Sequence, residues 1–178
     1  MAKTINDFLS PDDLMHAGPA SNAPDYLKNI KNLDQSLDDQ ILGKVSKRLG
    51  LNANGLIGFA EKVAGMESDN NSLAKNPITT AKGSYQFTND SFITAKKRLK
   101  NIIGQVPKRI LDAKSIIDLS PEDQRALFFA HLTEDKGSDE RMKSYLEGKN
   151  SGWDLYLHNH YKGLPTPGTL NRKNLFFP

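Results

Sequence analysis

Residues 56–68 read Leu-Ile-Gly-Phe-Ala-Glu-Lys-Val-Ala-Gly-Met-Glu-Ser, and their apolar spacing predicts a helix from Leu56 to Met66. Ala60 and Val63 share one face of that helix with Leu56, and Glu67 follows Val63 by four positions on the same face. We therefore expect the Glu67 carboxyl to be partly desolvated and close to the negative end of the helix dipole, and both effects raise its pKa. A carboxyl group that stays protonated near neutral pH can act as the acid in glycoside cleavage. Because most helix-end glutamates turn to solvent, this interpretation needs support from the rest of the chain.

A segment without helical periodicity follows this helix. Residues 71–87 are rich in Asn, Pro, Thr, Gly and Ser, which is typical of an irregular hairpin. Such a hairpin would form the wall of a cleft opposite the acid. Gly83 would let a ligand approach the backbone, and Tyr85 would offer a flat face to a pyranose ring. Gln86 would donate to and accept from the hydroxyl or N-acetyl groups of a sugar.

Two motifs in this region resemble those of a known family. Glu67-Ser68, an Asn76-Pro77 turn and the run Ala81-Lys82-Gly83-Ser84-Tyr85-Gln86-Phe87 are similar to the motif pair of soluble lytic transglycosylases and goose-type lysozymes. Phage tail and virion members of that family are the most similar. The usual Gly-Leu-Met-Gln of the family is Gly83-Ser84-Tyr85-Gln86 here, a departure at the two central positions.

This resemblance covers residues 51–163 and implies an α+β lysozyme-like fold. It implies that Glu67 is the sole catalytic carboxylate, that Ser68 and Gln86 line the saccharide cleft, and that Gly83 occupies the glycine position of the family. A further family feature is a late helix whose Tyr or His and Asn reach the catalytic Glu.

The segment from Trp153 to Gly163 is similar to that late helix. Its register is open, and the resemblance favours Asn159 and Tyr161 as the residues that reach the cleft, with His158 next. An equally simple interpretation places Tyr156 and its apolar neighbours in the core and the polar side chains on the surface.

Four further helices follow from periodicity and capping signals. They are predicted near Asp34–Gly50, at Asn89–Asn101, from Ser120-Pro121 onward and at Glu140–Leu146, in addition to one at Trp153–His160. The predicted fold class is mainly α, with one small β-hairpin at the cleft. The predicted domains are an N-terminal extension or attachment arm at 1–33, a lysozyme-like catalytic domain at 34–163 and an extended C-terminal tail at 164–178.

Composition excludes several classes of protein. The net charge of +3 is too small to predict nucleic-acid binding, and there is no cysteine for a disulfide, a thiolate or a zinc site. His158 and His160 leave a helix on different sides, so we predict no metal and no cofactor. No apolar run approaches the roughly 20 residues of a membrane span, and the N-terminus lacks the apolar core of a signal peptide. We expect a location in a phage virion or the host cytoplasm, with action on the cell wall.

The resemblance implies cleavage of the β-1,4 bond between N-acetylmuramic acid and N-acetylglucosamine, with formation of 1,6-anhydromuramic acid. Asp69 or Asp90 keeps open an inverting muramidase, in which a second carboxylate orients water. A non-catalytic virion or wall-binding module with the same fold is the alternative from another class. The predicted partners are peptidoglycan glycan strands, and other virion proteins through the N-terminal arm or the C-terminal tail.

Overall fold

The computed structural model describes residues 36–133, 136–160, 165 and 167–178, with the backbone alone for Lys136. Eight α-helices account for most of this described chain, which confirms the prediction of a mainly α protein. They are α1 Leu37–Leu49, α2 Leu56–Ser68, α3 Asn89–Ile103, α4 Lys108–Asp112, α5 Pro121–Leu132, α6 Lys136–Leu146, α7 Trp153–His160 and α8 Pro167–Phe176. Single turns of 3-10 helix precede α2 and α5, at Ala53–Gly55 and Ile116–Asp118.

Helix α5 is the centre of the core and packs against α1 and α3. Its predicted start is confirmed, because the Ser120 hydroxyl accepts from the Asp123 N–H at 3.2 Å and Pro121 is the first helical residue. From Ala126 to Leu132 every residue except His131 is buried, so this part of the helix is enclosed by its neighbours. Its buried apolar residues are Ala126, Leu127, Phe128, Phe129, Ala130 and Leu132.

Helix α2 runs through Glu67 and ends one residue later. Asp69 and Asn70 then adopt left-handed backbone conformations, with φ of 53° and 64°, which Asp and Asn tolerate better than most residues. Their N–H groups cap the last turn by donating to the carbonyls of Gly65 and Ala64, at 3.2 and 3.1 Å. Glu67 therefore lies in the last turn of a regular, capped helix, one residue before the helix ends.

The predicted hairpin is absent from this part of the structure. Residues 69–88 form an irregular loop whose pairing consists of two isolated antiparallel bridges, Lys75 with Lys82 and Lys82 with Phe87, and no strand is formed among the described residues. Gly83 and Gln86, with φ of 76° and 49°, turn the chain back so that Lys82 pairs with Phe87. Helix α3 begins two residues after Phe87, so this pairing cannot extend into a ladder.

The C-terminal segment is not an extended tail, and that prediction is wrong for residues 167–177. Pro167 is the first residue of α8, a position where its missing N–H costs nothing, and Phe177 after the helix is only 1% exposed. The compact unit accordingly runs from Leu37 to Pro178. The predicted N-terminal arm at 1–33 lies outside the described residues. None of the described helices combines the length and apolar character needed to cross a bilayer.

Candidate active site

The Glu67 carboxyl lies half-buried at the end of α2, and one of its oxygens is hydrogen-bonded across the molecule. The Tyr156 hydroxyl on α7 donates to Glu67 Oε1 at 2.5 Å. Burial raises the pKa of Glu67, and this effect outweighs the Tyr156 hydrogen bond and the positive charge of Arg172, which both lower it. The raised pKa agrees with the position of Glu67 on the apolar face of its helix.

Tyr156 is held by rings on several sides and is only 1% exposed. The centroid of its ring lies 5.2 Å from that of Trp153, 4.8 Å from His160 and 5.3 Å from Phe177. Burial lowers the pKa of His160 to about 4, so this ring is neutral at physiological pH. The Tyr156 hydroxyl therefore meets Glu67 from a rigid and uncharged aromatic wall.

The structure joins Glu67 to Tyr156, a tyrosine that the resemblance did not single out. Asn159 instead donates to its own helix, at the Leu155 carbonyl 2.8 Å away, and its Oδ1 lies 3.5 Å from the Ser138 hydroxyl of α6. His158 is half-buried two positions after Tyr156, so it leaves α7 on another side. Tyr161 lies outside the described residues.

A signal for Tyr156 was present in the sequence. Trp153, Tyr156 and His160 are spaced three and four apart and so form one aromatic face of α7. A tyrosine buried on such a face needs a partner for its hydroxyl, and a carboxyl on another buried face needs a donor. These two requirements mark Tyr156 and Glu67 as residues that each need a partner, although they do not specify that the two meet.

Ser68 connects α2 to the loop that follows it. Its Oγ lies 3.0 Å from the Ala64 carbonyl of its own helix and 3.0 Å from the Ser84 carbonyl of the loop. The predicted role of Ser68 was to line a saccharide cleft. In the structure the Ser68 hydroxyl instead links the loop to α2, next to Glu67.

Gln124 on α5 anchors the same loop from below, and sequence reasoning missed it. Its side chain is fully buried, at 0% exposure. Its Oε1 accepts from the Ser84 N–H at 2.9 Å, and its Nε2 donates to the carbonyls of Ser72 and Leu119, at 3.0 and 3.1 Å. One side chain thus satisfies three backbone groups, two of which belong to the loop.

The space beside Gly83 is occupied by Gln124, and a role of Gly83 toward a ligand stays a prediction. A Cβ at Gly83 would lie 2.6 Å from Gln124 Oε1, closer than van der Waals contact allows, and φ of this residue is 76°. The predicted close approach to the Gly83 backbone therefore exists, but the approaching group is a side chain of the protein itself.

Tyr85 is a core residue, and the prediction that its face is open to a sugar is wrong. The ring is 6% exposed and stacks on Phe128, with centroids 4.3 Å apart and planes 9° from parallel. The buried ring stabilises the loop by filling space beside α5. Burial also raises the pKa of its phenol above the ordinary range.

Gln86 folds back on its own loop. Its Nε2 donates to the Gly83 carbonyl at 3.0 Å, and its side chain remains half-buried. A role for Gln86 toward a saccharide stays a prediction.

The two acids considered as second carboxylates lie in different settings. Asp69 pairs with Arg172 of α8, with 2.5 Å between Oδ1 and the guanidinium nitrogen. Asp90 is exposed in the first turn of α3. Within the ranges that the structure describes, no group of three or more acidic or histidine side chains is arranged to hold a metal ion.

Comparison with models of protein families, with curated proteins and with solved structures found no match for this chain. The functional assignment therefore depends on the geometry around Glu67 and on the motif resemblance.

Replacing Gly83 with Ala tests the anchoring of the loop. We expect Gly83→Ala to lower the free energy of unfolding by about 3 kcal/mol, because left-handed strain is added to a clash with a side chain held by three hydrogen bonds. Gly50→Ala is the matched control, since Gly50 has a φ of 70° but no atom within 4 Å of its would-be Cβ. That control should cost about 1 kcal/mol, the backbone strain alone. Equal losses in urea unfolding would show that the Gln124 contact does not constrain Gly83.

Proposed function

We propose that this chain is a peptidoglycan lytic transglycosylase that cleaves the β-1,4 bond between N-acetylmuramic acid and N-acetylglucosamine, with Glu67 as acid and base, on a lysozyme-like fold. The observation that supports this best is the Glu67 carboxyl itself: half-buried, raised in pKa and hydrogen-bonded through one oxygen to the Tyr156 hydroxyl at 2.5 Å. The motif resemblance supplies the substrate class. A virion or lysis role fits the phage members that this sequence resembles most.

The proposed reaction begins with protonated Glu67. It donates its proton to the glycosidic oxygen as the bond from that oxygen to C1 of the muramoyl residue breaks. The neighbouring N-acetyl group of the substrate stabilises the positive charge at C1, so no second carboxylate is needed. Glu67, now ionised, takes the proton from the muramoyl 6-hydroxyl, whose oxygen bonds to C1. The products are a 1,6-anhydromuramoyl end and a free 4-hydroxyl, and no water is consumed.

Tyr156 supports this reaction by orienting the carboxyl group. Because its hydroxyl donates to Oε1, the proton exchanged with the substrate sits on Oε2. The neutral rings around Tyr156 add no competing charge near that proton. The hydrogen bond also stabilises the ionised form that must act as base in the second half of the reaction.

Product analysis tests the proposal and separates it from its alternatives. Purified peptidoglycan is digested with the protein, and the muropeptides are identified by mass spectrometry. Ends of the 1,6-anhydro type, lighter than reducing ends by one water, support the transglycosylase. Reducing ends alone would indicate a muramidase and direct attention to Asp90. Binding to wall fragments without any cleavage would indicate the non-catalytic module.

Removal of the Tyr156 hydroxyl should weaken activity while leaving the fold intact. In Tyr156→Phe the ring still fills its place, so we expect little loss of stability and about a tenfold fall in kcat, the value of one hydrogen bond to a charged group. The pKa of Glu67 should rise further, because a contact that lowers it is lost. Activity falls on the alkaline side of the pH profile as Glu67 loses its proton, so this alkaline limb should move to higher pH. Tyr145→Phe, a half-buried tyrosine elsewhere, is the control, and an equal effect there would contradict a specific role for Tyr156.

A further inference from the structure

The C-terminal helix α8 packs on α2 beside Glu67. The helix and Phe177 directly after it make three separate contacts around the Glu67–Tyr156 pair. None of its residues within Pro167–Phe176 is fully buried, so the helix lies on the surface of the unit. Its Arg172 and Phe176 side chains nevertheless both contact Gly65 of α2, two residues before Glu67.

The first contact is electrostatic. A terminal guanidinium nitrogen of Arg172 donates to the Gly65 carbonyl at 2.9 Å and to Asp69 Oδ1 at 2.5 Å. These two acceptors flank Glu67 on its helix, two residues to either side. The Arg172 charge acts on Glu67 and lowers its pKa, opposing the effect of burial.

The second contact explains a glycine. Gly65 lies inside α2, where glycine costs about 1 kcal/mol relative to alanine. A Cβ at this position would lie 2.4 Å from Cε1 of Phe176, so the ring of Phe176 occupies the space that a side chain would need. The glycine permits close docking of α8 on α2.

The third contact reaches the partner of Glu67. Phe177 follows α8, is 1% exposed, and lies between Tyr156, Trp153 and Phe59, at centroid distances of 5.3, 5.6 and 6.1 Å. With Trp153 and His160 it forms the set of rings that pack on Tyr156. The position of the Tyr156 hydroxyl on Glu67 thus depends on a residue at the end of the chain.

We propose that α8 and the Phe177 that follows it are a working part of the Glu67 site, with Arg172 and Phe177 as positioning residues for the Glu67–Tyr156 pair. This inference rests on the proposed function. Arg172 acts on the charge of Glu67 directly, and Phe177 acts through the Tyr156 ring. The titratable groups that face Glu67 are Tyr156 from α7 and Arg172 from α8, with Asp69 behind Arg172 and neutral His160 behind Tyr156.

Replacement of Arg172 tests the charge contribution. In Arg172→Gln the pKa of Glu67 should rise, so the alkaline limb of cleavage should move to higher pH, whereas Arg172→Lys should restore much of the wild-type profile. Lys100→Gln removes the same charge from an exposed site on α3 and should leave the profile unchanged. Fluorescence of Trp153, the single tryptophan, reports whether α8 stays docked, because Phe177 and Lys173 lie against its ring.

Replacement of Phe177 tests the contribution through Tyr156. Phe177→Leu should lower kcat about tenfold with little change in KM, since a displaced acid reacts poorly while the cleft is unaltered. When Phe177→Leu is added to Tyr156→Phe, kcat should fall little further, because the hydrogen bond through which Phe177 acts on Glu67 is already absent. Leu175→Ala, at a site 74% exposed on the same helix, is the control for apolar truncation.

Two outcomes would overturn the inference while the proposed function stands. The first is that the alkaline limb of the cleavage profile of Arg172→Gln does not shift although α8 stays docked. The second is that the losses of kcat in Phe177→Leu and Tyr156→Phe multiply when the two substitutions are combined. If Arg172→Gln undocks α8, cleavage at the wild-type rate by this variant would overturn the inference. A lower cleavage rate in Arg172→Gln, with the wild-type rate kept in Leu175→Ala, would support it. If the wild type cleaves nothing, NMR of the carboxyl carbon can still measure the pKa of Glu67 in the wild type and in Arg172→Gln. An identical pKa in the two proteins would overturn the inference.

Discussion

Substitution of Glu67 by Gln should reduce the rate of peptidoglycan cleavage about a thousandfold, within the range that a positioned general acid contributes. Gln has nearly the same shape as Glu and can accept the hydrogen bond from Tyr156, so the geometry of the site should persist. It cannot donate an acidic proton to the glycosidic oxygen or take one from the 6-hydroxyl. The release of soluble muropeptides per unit time, measured for both proteins on the same wall preparation, gives the ratio directly.

The stability of the same variant provides an internal control with a defined sign. Burial raises the pKa of Glu67 in the folded protein, so the folded state holds this proton more tightly than the unfolded chain does. Wild-type stability should therefore increase as the pH falls from the folded pKa toward the ordinary value of 4.5. At pH 7 Glu67→Gln should be more stable than wild type by about 1 kcal/mol, because the variant buries no charge at this site. In acid, where Glu67 is protonated, this difference should disappear.

Glu61→Gln is the matched variant for both measurements, because Glu61 is exposed on the same helix. It should alter neither cleavage nor stability by a measurable amount. Retention of wild-type cleavage by Glu67→Gln would remove Glu67 from the mechanism. A loss of activity accompanied by a loss of stability at pH 7 would instead indicate that the substitution had damaged the fold.

Substitution of Gln124 by Leu should lower the free energy of unfolding by about 3 kcal/mol. The change leaves the buried Ser84 N–H and Leu119 carbonyl, and the part-buried Ser72 carbonyl, without this partner. Buried groups that lose a hydrogen bond retain the cost of leaving water, so the loss exceeds the net value of the bonds themselves. Urea unfolding followed by circular dichroism measures it.

Gln105→Leu is the control for this second prediction, because Gln105 is exposed between α3 and α4. We expect its stability to remain within about 0.5 kcal/mol of wild type. Cleavage by folded Gln124→Leu should also fall, since the loop that it anchors is tied to α2 through Ser68 next to Glu67. Wild-type stability in Gln124→Leu would mean that other groups or water satisfy the loop equally well.

Local patterns in the sequence were sufficient for most of the helices. Periodicity located α1, α2, α3 and α5, and the Ser-Pro start of α5 agreed to the residue because a cap and its first turn are adjacent in the chain. The short helix α4 and the C-terminal helix α8 were missed. Helix α4 has five residues, too few for a periodic signal, and α8 begins in a Pro-Gly context that is typical of loops.

The same contrast applies to the candidate site. Glu67 was identified because its position on an apolar face follows from the spacing of its own helix. Tyr85 was misassigned because an aromatic beside a glycine has the same appearance in sequence whether its ring meets a sugar or, as here, stacks on Phe128. Tyr156 was left in the core, where its ring does lie, although its hydroxyl has a partner in Glu67.

By itself, therefore, the sequence determined most of the helical segments and the helix face that carries Glu67, since both depend on residues within one or two turns of each other. It did not determine what meets that face. Tyr156 reaches Glu67 across 89 positions of the chain, and Arg172 reaches Asp69 across 103. Helical periodicity specifies the direction in which a side chain points but contains no information on the residue that packing brings opposite to it. Those pairings arise only when burial of Phe59, Phe177 and their neighbours brings α2, α7 and α8 together, and they set the chemistry of the Glu67 carboxyl.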